Sequence, residues 1–115
     1  MAATAITNAV ISKFNDLTTT FPVAVALSAT DGALITSDAP DEKILIIIQN
    51  SDTTNAETVT IKAGTGYAGA SDLEVSVAAS TTKMCVLESA RFKDSDGKIK
   101  ISGSTDIKIS CVVLP

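Results

Sequence analysis

The run Thr58-Val59-Thr60-Ile61-Lys62-Ala63-Gly64-Thr65-Gly66-Tyr67-Ala68-Gly69-Ala70-Ser71-Asp72-Leu73-Glu74-Val75-Ser76-Val77 decides how the chain is read. It holds a literal Gly-x-Gly-x-x-Gly, from Gly64 to Gly69, behind a strand-like segment. A dinucleotide site needs such glycines so that backbone N–H groups and a helix N-terminus meet a pyrophosphate, so a helix must follow the last glycine. Here Leu73, Val75 and Val77 recur at every second position instead. Period two sets alternate side chains on opposite faces of a strand, whereas a helix needs a period near 3.6. The glycines are therefore expected to join two strands, with no dinucleotide bound.

Strand signals continue on both sides of this run. Lys43-Ile44-Leu45-Ile46-Ile47-Ile48-Gln49 is apolar on both faces, and so is expected to lie centrally with both faces covered. In Thr58–Lys62, Val59 and Ile61 point inward while Thr58, Thr60 and Lys62 point out. Met84-Cys85-Val86-Leu87 reads as another buried run. Asp94-Ser95-Asp96-Gly97 turns the chain into Lys98-Ile99-Lys100-Ile101, and Gly103-Ser104 leads into the segment Asp106 to Leu114. Short strands separated by turn signals predict an all-β fold, an antiparallel β-sandwich or barrel of immunoglobulin-like or jelly-roll-like type. At least six strands are expected between Lys43 and Leu114.

The N-terminal part differs. Val23 to Leu27 reads as a first strand, and Asp31-Gly32 and Asp38-Ala39-Pro40-Asp41 as turns. The sandwich domain is placed at residues 23–115, with residues 1–22 a short helix or an extended arm. Ile6, Val10, Phe14 and Leu17 are spaced by four, four and three, which fits one face of a helix capped by Thr4 or Thr7. The weak helix propensity of Val, Thr and Asn favours an arm. Thr18-Thr19-Thr20-Phe21-Pro22 ends any helix. The apolar stripe either covers one end of the sandwich or, the favoured reading, contacts a partner or a neighbouring copy; on that reading, loss of residues 1–20 leaves a folded domain without the contact.

Composition narrows the chemistry. The 115 residues suit one domain with one core; 45% are hydrophobic but only 3% aromatic, so valine, isoleucine, leucine and alanine must fill the interior. There is no histidine, the commonest general base and metal ligand. The formal net charge is −4, with neither the basic patch nor the stacking aromatics of a nucleic-acid binder. The longest apolar run, Ile44 to Ile48, is too short to span a membrane. Met1 to Ile6 lacks the charged n-region and apolar core of a signal peptide, so the expected site of synthesis is a cytosol. Cys85 and Cys111 lie in apolar segments and are expected to be free, buried thiols.

Asp94-x-Asp96-Gly97 opens like a calcium loop, but Lys98 and Thr105 fall where oxygen ligands belong, so the segment reads as a turn. Glu88, Ser89 and Arg91 make no hydrolase without a histidine beside the serine. They read as a strand-end corner at which Phe92 covers the core edge, or as an intersubunit contact through Arg91 and Phe92. Tyr67, the only tyrosine, rests on one end of the sandwich or touches a sugar or a partner. No cofactor, metal or small-molecule substrate is expected.

Asp41-Glu42-Lys43 leading into the apolar strand, Thr58 to Gly66, Asp72 to Ala79, Leu87-Glu88-Ser89-Ala90-Arg91-Phe92-Lys93 and the ending Val113-Leu114-Pro115 together resemble small β-sandwich proteins of phage virions. The resemblance implies a capsid decoration or other head-structural role on the outer capsid surface. The partners would be a major capsid protein and other copies of the chain, and no catalytic residues are implied. Residues 1–40 fall outside it. The alternative is a cell-surface or carbohydrate-binding β-sandwich module, which calls for a secretion signal and an aromatic platform.

Overall fold

A computed structural model describes residues 4–15, 17, 19–28, 30–36, 43–63, 71–87, 92–93 and 98–115. Its spine is the pairing of the two longest strands, β5 (Ile44–Asn50) and β10 (Ile107–Val113). They run antiparallel in a seven-residue register from Ile107 opposite Asn50 to Val113 opposite Ile44. Both are rich in β-branched residues, which pack well on a pleated surface. β8 (Thr82–Cys85) lies on the far side of β5. The outer edge of β10 receives two short strands, β3 (Val25–Ala26) antiparallel and β2 (Ala9–Val10) parallel.

The second sheet has the order β1-β4-β9-β6-β7, with β1 at Thr4–Ala5, β4 at Ala33–Thr36, β9 at Lys98–Ser102, β6 at Glu57–Ile61 and β7 at Leu73–Val77. The two sheets pack face to face as a sandwich and do not close into a barrel. The six strands expected from Lys43 onward are β5 to β10. The sheets are mixed, because β1 and β2 pair in parallel with β4 and β10. Antiparallel pairing, the sequence expectation, holds for every other strand pair. β4 had no reading from the sequence, although its Ala33 and Ile35 are fully buried.

Alternation assigns the core. Ile44, Ile46, Ile48, Ile107, Ile109 and Cys111 point inward from one sheet, and Ile35, Val59, Ile61, Val77, Ile99 and Ile101 from the other. Ile6, Leu27 and Phe92 join the same cluster. Burying each such side chain is worth about 1.5–3 kcal/mol, so an aliphatic interior suffices without tryptophan. β5 is central as expected, between β10 and β8, but its outer face is only partly covered: Ile47 is 5% exposed, while Leu45 is half-buried and Gln49 exposed. Met84 and Val86 correct the expected buried run: they are 66% and 50% exposed. β8 is an edge strand; Met84 stands on its outward side and Val86 just beyond its end.

Two backbone details hold the sheets in place. Gly32 adopts φ 70°, the left-handed region, and a Cβ there would run into the Ile101 carbonyl. Its turn joins Ser28 to Gly32 by reciprocal backbone hydrogen bonds before β4 begins. Asn50, 1% exposed at the end of β5, donates from Nδ2 to the carbonyls of Asn55 (3.0 Å) and Val77 (3.0 Å), while Oδ1 accepts from Asp52 N at 2.9 Å. The Val77 carbonyl ends β7, so this amide ties one sheet to the other. Asn50→Asp sets a carboxylate oxygen against those carbonyls. We expect a loss of about 3 kcal/mol at neutral pH, read by denaturant unfolding. The deficit should shrink as pH falls, because protonation restores a donor; an unchanged midpoint would show that the amide does not tie the sheets.

Candidate interaction surface

The N-terminal segment is a strand-forming arm, which corrects the helical reading. Thr4 N donates to Gly32 O and Ile6 N to Leu34 O, each at 3.0 Å, so β1 seals the edge of β4. Asn8 Nδ2 then reaches Thr36 O at 2.7 Å, and Ile11 N donates to Val113 O at 2.9 Å as β2 seals the edge of β10. The arm thus crosses from one sheet to the other. Two open edges with unpaired backbone groups outweigh a short helix that would satisfy only itself.

The stripe at helical spacing is dispersed by this route. Ile6 is 8% exposed and belongs to the core, so it offers nothing to a partner. The root of the arm is therefore part of the sandwich, contrary to the expectation that residues 1–20 are dispensable for folding. Val10 is half exposed, and Phe14 and Leu17 are 80% and 96% exposed. Phe92 is buried in the core cluster, where it covers the core edge and is closed to a partner. Tyr67 and Arg91 lie outside the described residues, as do Gly64 to Gly69, Glu88 to Ala90 and Asp94 to Gly97. The element after the glycines is β7, antiparallel to β6, rather than a helix. Asp72 gathers the base of that connection, accepting from Ala63 N at 2.6 Å and lying 3.7 Å from Lys62 Nζ.

Phe21 and Val23 carry no reading as contact residues from the sequence, yet both are largely exposed. The sequence placed Phe21 in the helix-ending run before Pro22 and Val23 at the start of a strand, but in the structure β3 begins only at Val25. Phe21 and Pro22 wall an apolar cleft of about 410 Å³ together with Ala9, Ile11, Leu45, Val112 and Leu114. Thr19 and Thr20 supply its side-chain hydroxyls, and Thr19 Oγ1 donates to Val10 O at 3.3 Å. The floor is the outer face of the β5–β10 pair. Register lines up Ala9, Val112 and Leu45 in one row and Ser110, Ile47 and Met84 in the next. These rows carry no charge, and Lys108 stands one row beyond. With so few polar groups converging, the cleft suits an apolar protein surface better than a polar small molecule.

One acidic trio lies among the described residues, with carboxylate oxygens of Asp52, Glu57 and Asp106 within 4.8 Å of one another. Asp52 is already accounted for by its turn. Its Oδ1 accepts from Thr54 N at 2.9 Å, Thr54 Oγ1 at 3.0 Å and Asn55 N at 3.2 Å. The backbone hydrogen bond from Thr54, then that from Asn55, hold its carboxyl below the ordinary value. An Asx turn explains this geometry without a cation.

The thiols share one face of one sheet. Cys111 and Cys85 each pair with Ile46, from opposite sides. Two strand spacings separate their backbones by about 9.5 Å, beyond the roughly 7 Å that a disulfide spans. Cys111 is fully buried and Cys85 half-buried at the edge strand. Burial raises both thiols, and with the neighbouring Cys85 it pushes Cys111 up to about 11. The neutral form is thus the folded one: any stability from Cys111 is complete below pH 9.0 and lost as pH rises toward about 11. At pH 8 native protein should leave Cys111 unmodified by a thiol reagent, with Cys85 reacting slowly and both reacting fast on unfolding. Rapid native labelling of Cys111 would contradict its burial.

Comparison of the chain with protein-family models, curated proteins and solved structures gives no match.

Proposed function

We propose that the chain is a non-enzymatic structural protein of a virion, a capsid decoration protein that binds the outside of an assembled head lattice and stabilises it. The carrying observation is the set of exposed apolar side chains on the arm, Val10, Phe14, Leu17, Phe21 and Val23. Their root is fixed in a sandwich whose core is closed without them. Large apolar side chains left in solvent favour a contact with another macromolecule. The absence of histidine and the net charge of −4 agree with a part that neither catalyses by general base nor holds nucleic acid.

Burial of one large side chain contributes about 1.5–3 kcal/mol, a modest gain for a single site. A repeating lattice compensates by offering many equivalent sites at high local concentration.

The double variant Phe14→Asp, Leu17→Asp tests this. Both side chains are exposed, so the fold should hold within about 0.5 kcal/mol. Co-sedimentation with purified heads should weaken by about tenfold or more. Undiminished decoration by the folded variant would move the attachment surface elsewhere. Binding to a glycan panel with none to heads would favour the carbohydrate-binding module instead.

A further inference from the structure

The strands at the margins of the two sheets are not alike. β1, β2 and β3 are two residues long. β7 is longer, but Lys83 of β8 reaches across and donates to Ser76 O at 2.8 Å. Lys62 N donates to Lys100 O, so the even residues of β6 turn their backbone groups to β9, and the odd ones bond with Leu73, Val75 and Val77. Ser76 therefore turns its carbonyl away from β6, to the free side of β7, where the ammonium covers it. Lysine is a usual guard of a strand edge, and here it guards β7 while leaving its own strand.

β8 has the opposite character. Asn50 N donates to Thr81 O at 3.0 Å, which puts Thr81, Lys83 and Cys85 in the bonded pairs with β5. Thr82 and Met84 must then direct N–H and C=O away from β5, and no described strand lies beyond to receive them. Thr81, Thr82, Lys83 and Met84 are exposed in succession, the mark of a strand without a neighbour.

We propose that β8 pairs edge to edge with β8 of a second copy, antiparallel about a two-fold axis at Met84, so that the β5–β10 sheets of two molecules become one. A row of free backbone donors and acceptors is matched by another extended strand, and β8 is itself such a strand. Register and charge choose the axis. Centred on Met84, the pairing sets Met84 against its own copy, Thr82 opposite Val86 and Lys83 opposite Cys85. The outward backbone groups of Thr82 and Met84 are then engaged, and the exposed Met84 and Val86 of both copies meet in one apolar row. Centred on Lys83, it would set two ammonium groups directly opposite, which is unfavourable. Centred on Thr82, it would set Met84 opposite Ser80, whose φ of 58° turns the chain out of the strand. None of these residues belongs to the arm, so the pairing goes beyond the attachment reading and does not depend on it.

Sedimentation of the full chain alone, without particles, is the first measurement. The contact is short, well under the roughly 800 Å² per partner of a standard interface, so we expect monomer at about 1 μM and dimer at about 1 mM. Met84→Pro removes an N–H that bonds to nothing within the sandwich, and edge strands tolerate proline. It should abolish the dimer while circular dichroism shows an unchanged β fold. Met84→Lys sets like charges opposite across the axis and should weaken the dimer by about fivefold or more. The second measurement is oxidation of Cys85→Ala chains that carry one added cysteine. Residues opposed in a bonded antiparallel pair have Cα atoms about 5.5 Å apart, within reach of a disulfide. Met84→Cys should therefore cross-link the dimer, and Thr82→Cys, which faces Val86, should not. A monomer at the higher concentration overturns the pairing, as does a dimer that survives Met84→Pro or links equally well through Thr82→Cys. The Phe14→Asp, Leu17→Asp variant should dimerise as the unaltered chain does, and loss of its dimer would overturn the assignment to β8. If the chain is monomeric alone and Met84→Pro abolishes binding to heads, the edge takes a capsid strand and the second copy is excluded.

Discussion

Everything in this molecule hangs from the seven-residue register of β5 on β10. Side chains alternate along both strands, so a slip of one residue would turn Ile44, Ile46 and Ile48 outward and bring Gln49 in. That one constraint sets the parity of the whole sheet. It puts Cys111 and Cys85 on the core side and Met84 on the solvent side. It also delivers Asn50 to the sheet end, where its amide meets the Val77 carbonyl of the opposite sheet. A polar residue survives in that position because its donors and its acceptor oxygen are all engaged.

The outer edge of this pair and the edge of β4 pose a second requirement. Unpaired strand edges are templates for unwanted association. The arm covers both with two-residue parallel strands, too short to stand alone and held by the sheets they complete. At the opposite side β7 and β8 remain edges, and Lys83 Nζ donates to Ser76 O at 2.8 Å, placing a lysine on one of them. The fold thus commits the first part of its arm to internal order. The next stretch, with Phe14, Leu17, Phe21 and Val23, makes no equivalent contribution to the core.

The described polar clusters are absorbed by structure: Asp52 by its turn and Asp72 by the base of the connection between β6 and β7. The cysteines are held protonated by burial, which withholds the thiolate that reactivity needs. Among the described residues, large apolar side chains are exposed on the arm and at β8.

Period-two alternation by itself determined the all-β class, the strands β6, β7 and β9 and the inward residues Val59, Ile61, Ile99 and Ile101, because a half-buried strand writes its faces directly into the sequence. The central place of β5, between β10 and β8, was equally legible from its five consecutive aliphatic residues, Ile44 to Ile48. Tertiary structure alone decided the arm. Ile6, Val10, Phe14 and Leu17 fit a helix locally, but the free edges of β4 and β10 lie far away in sequence and supply backbone partners that no local pattern records. It also decided the fate of apolar runs. Met84 and Val86 resemble core residues by composition, but Met84 points outward from the edge strand β8 and Val86 follows its end, which leaves both in solvent. The candidate surface was half visible for the same reason: hydrophobicity announces that a side chain seeks cover, and the packing of distant strands determines whether the chain itself provides it.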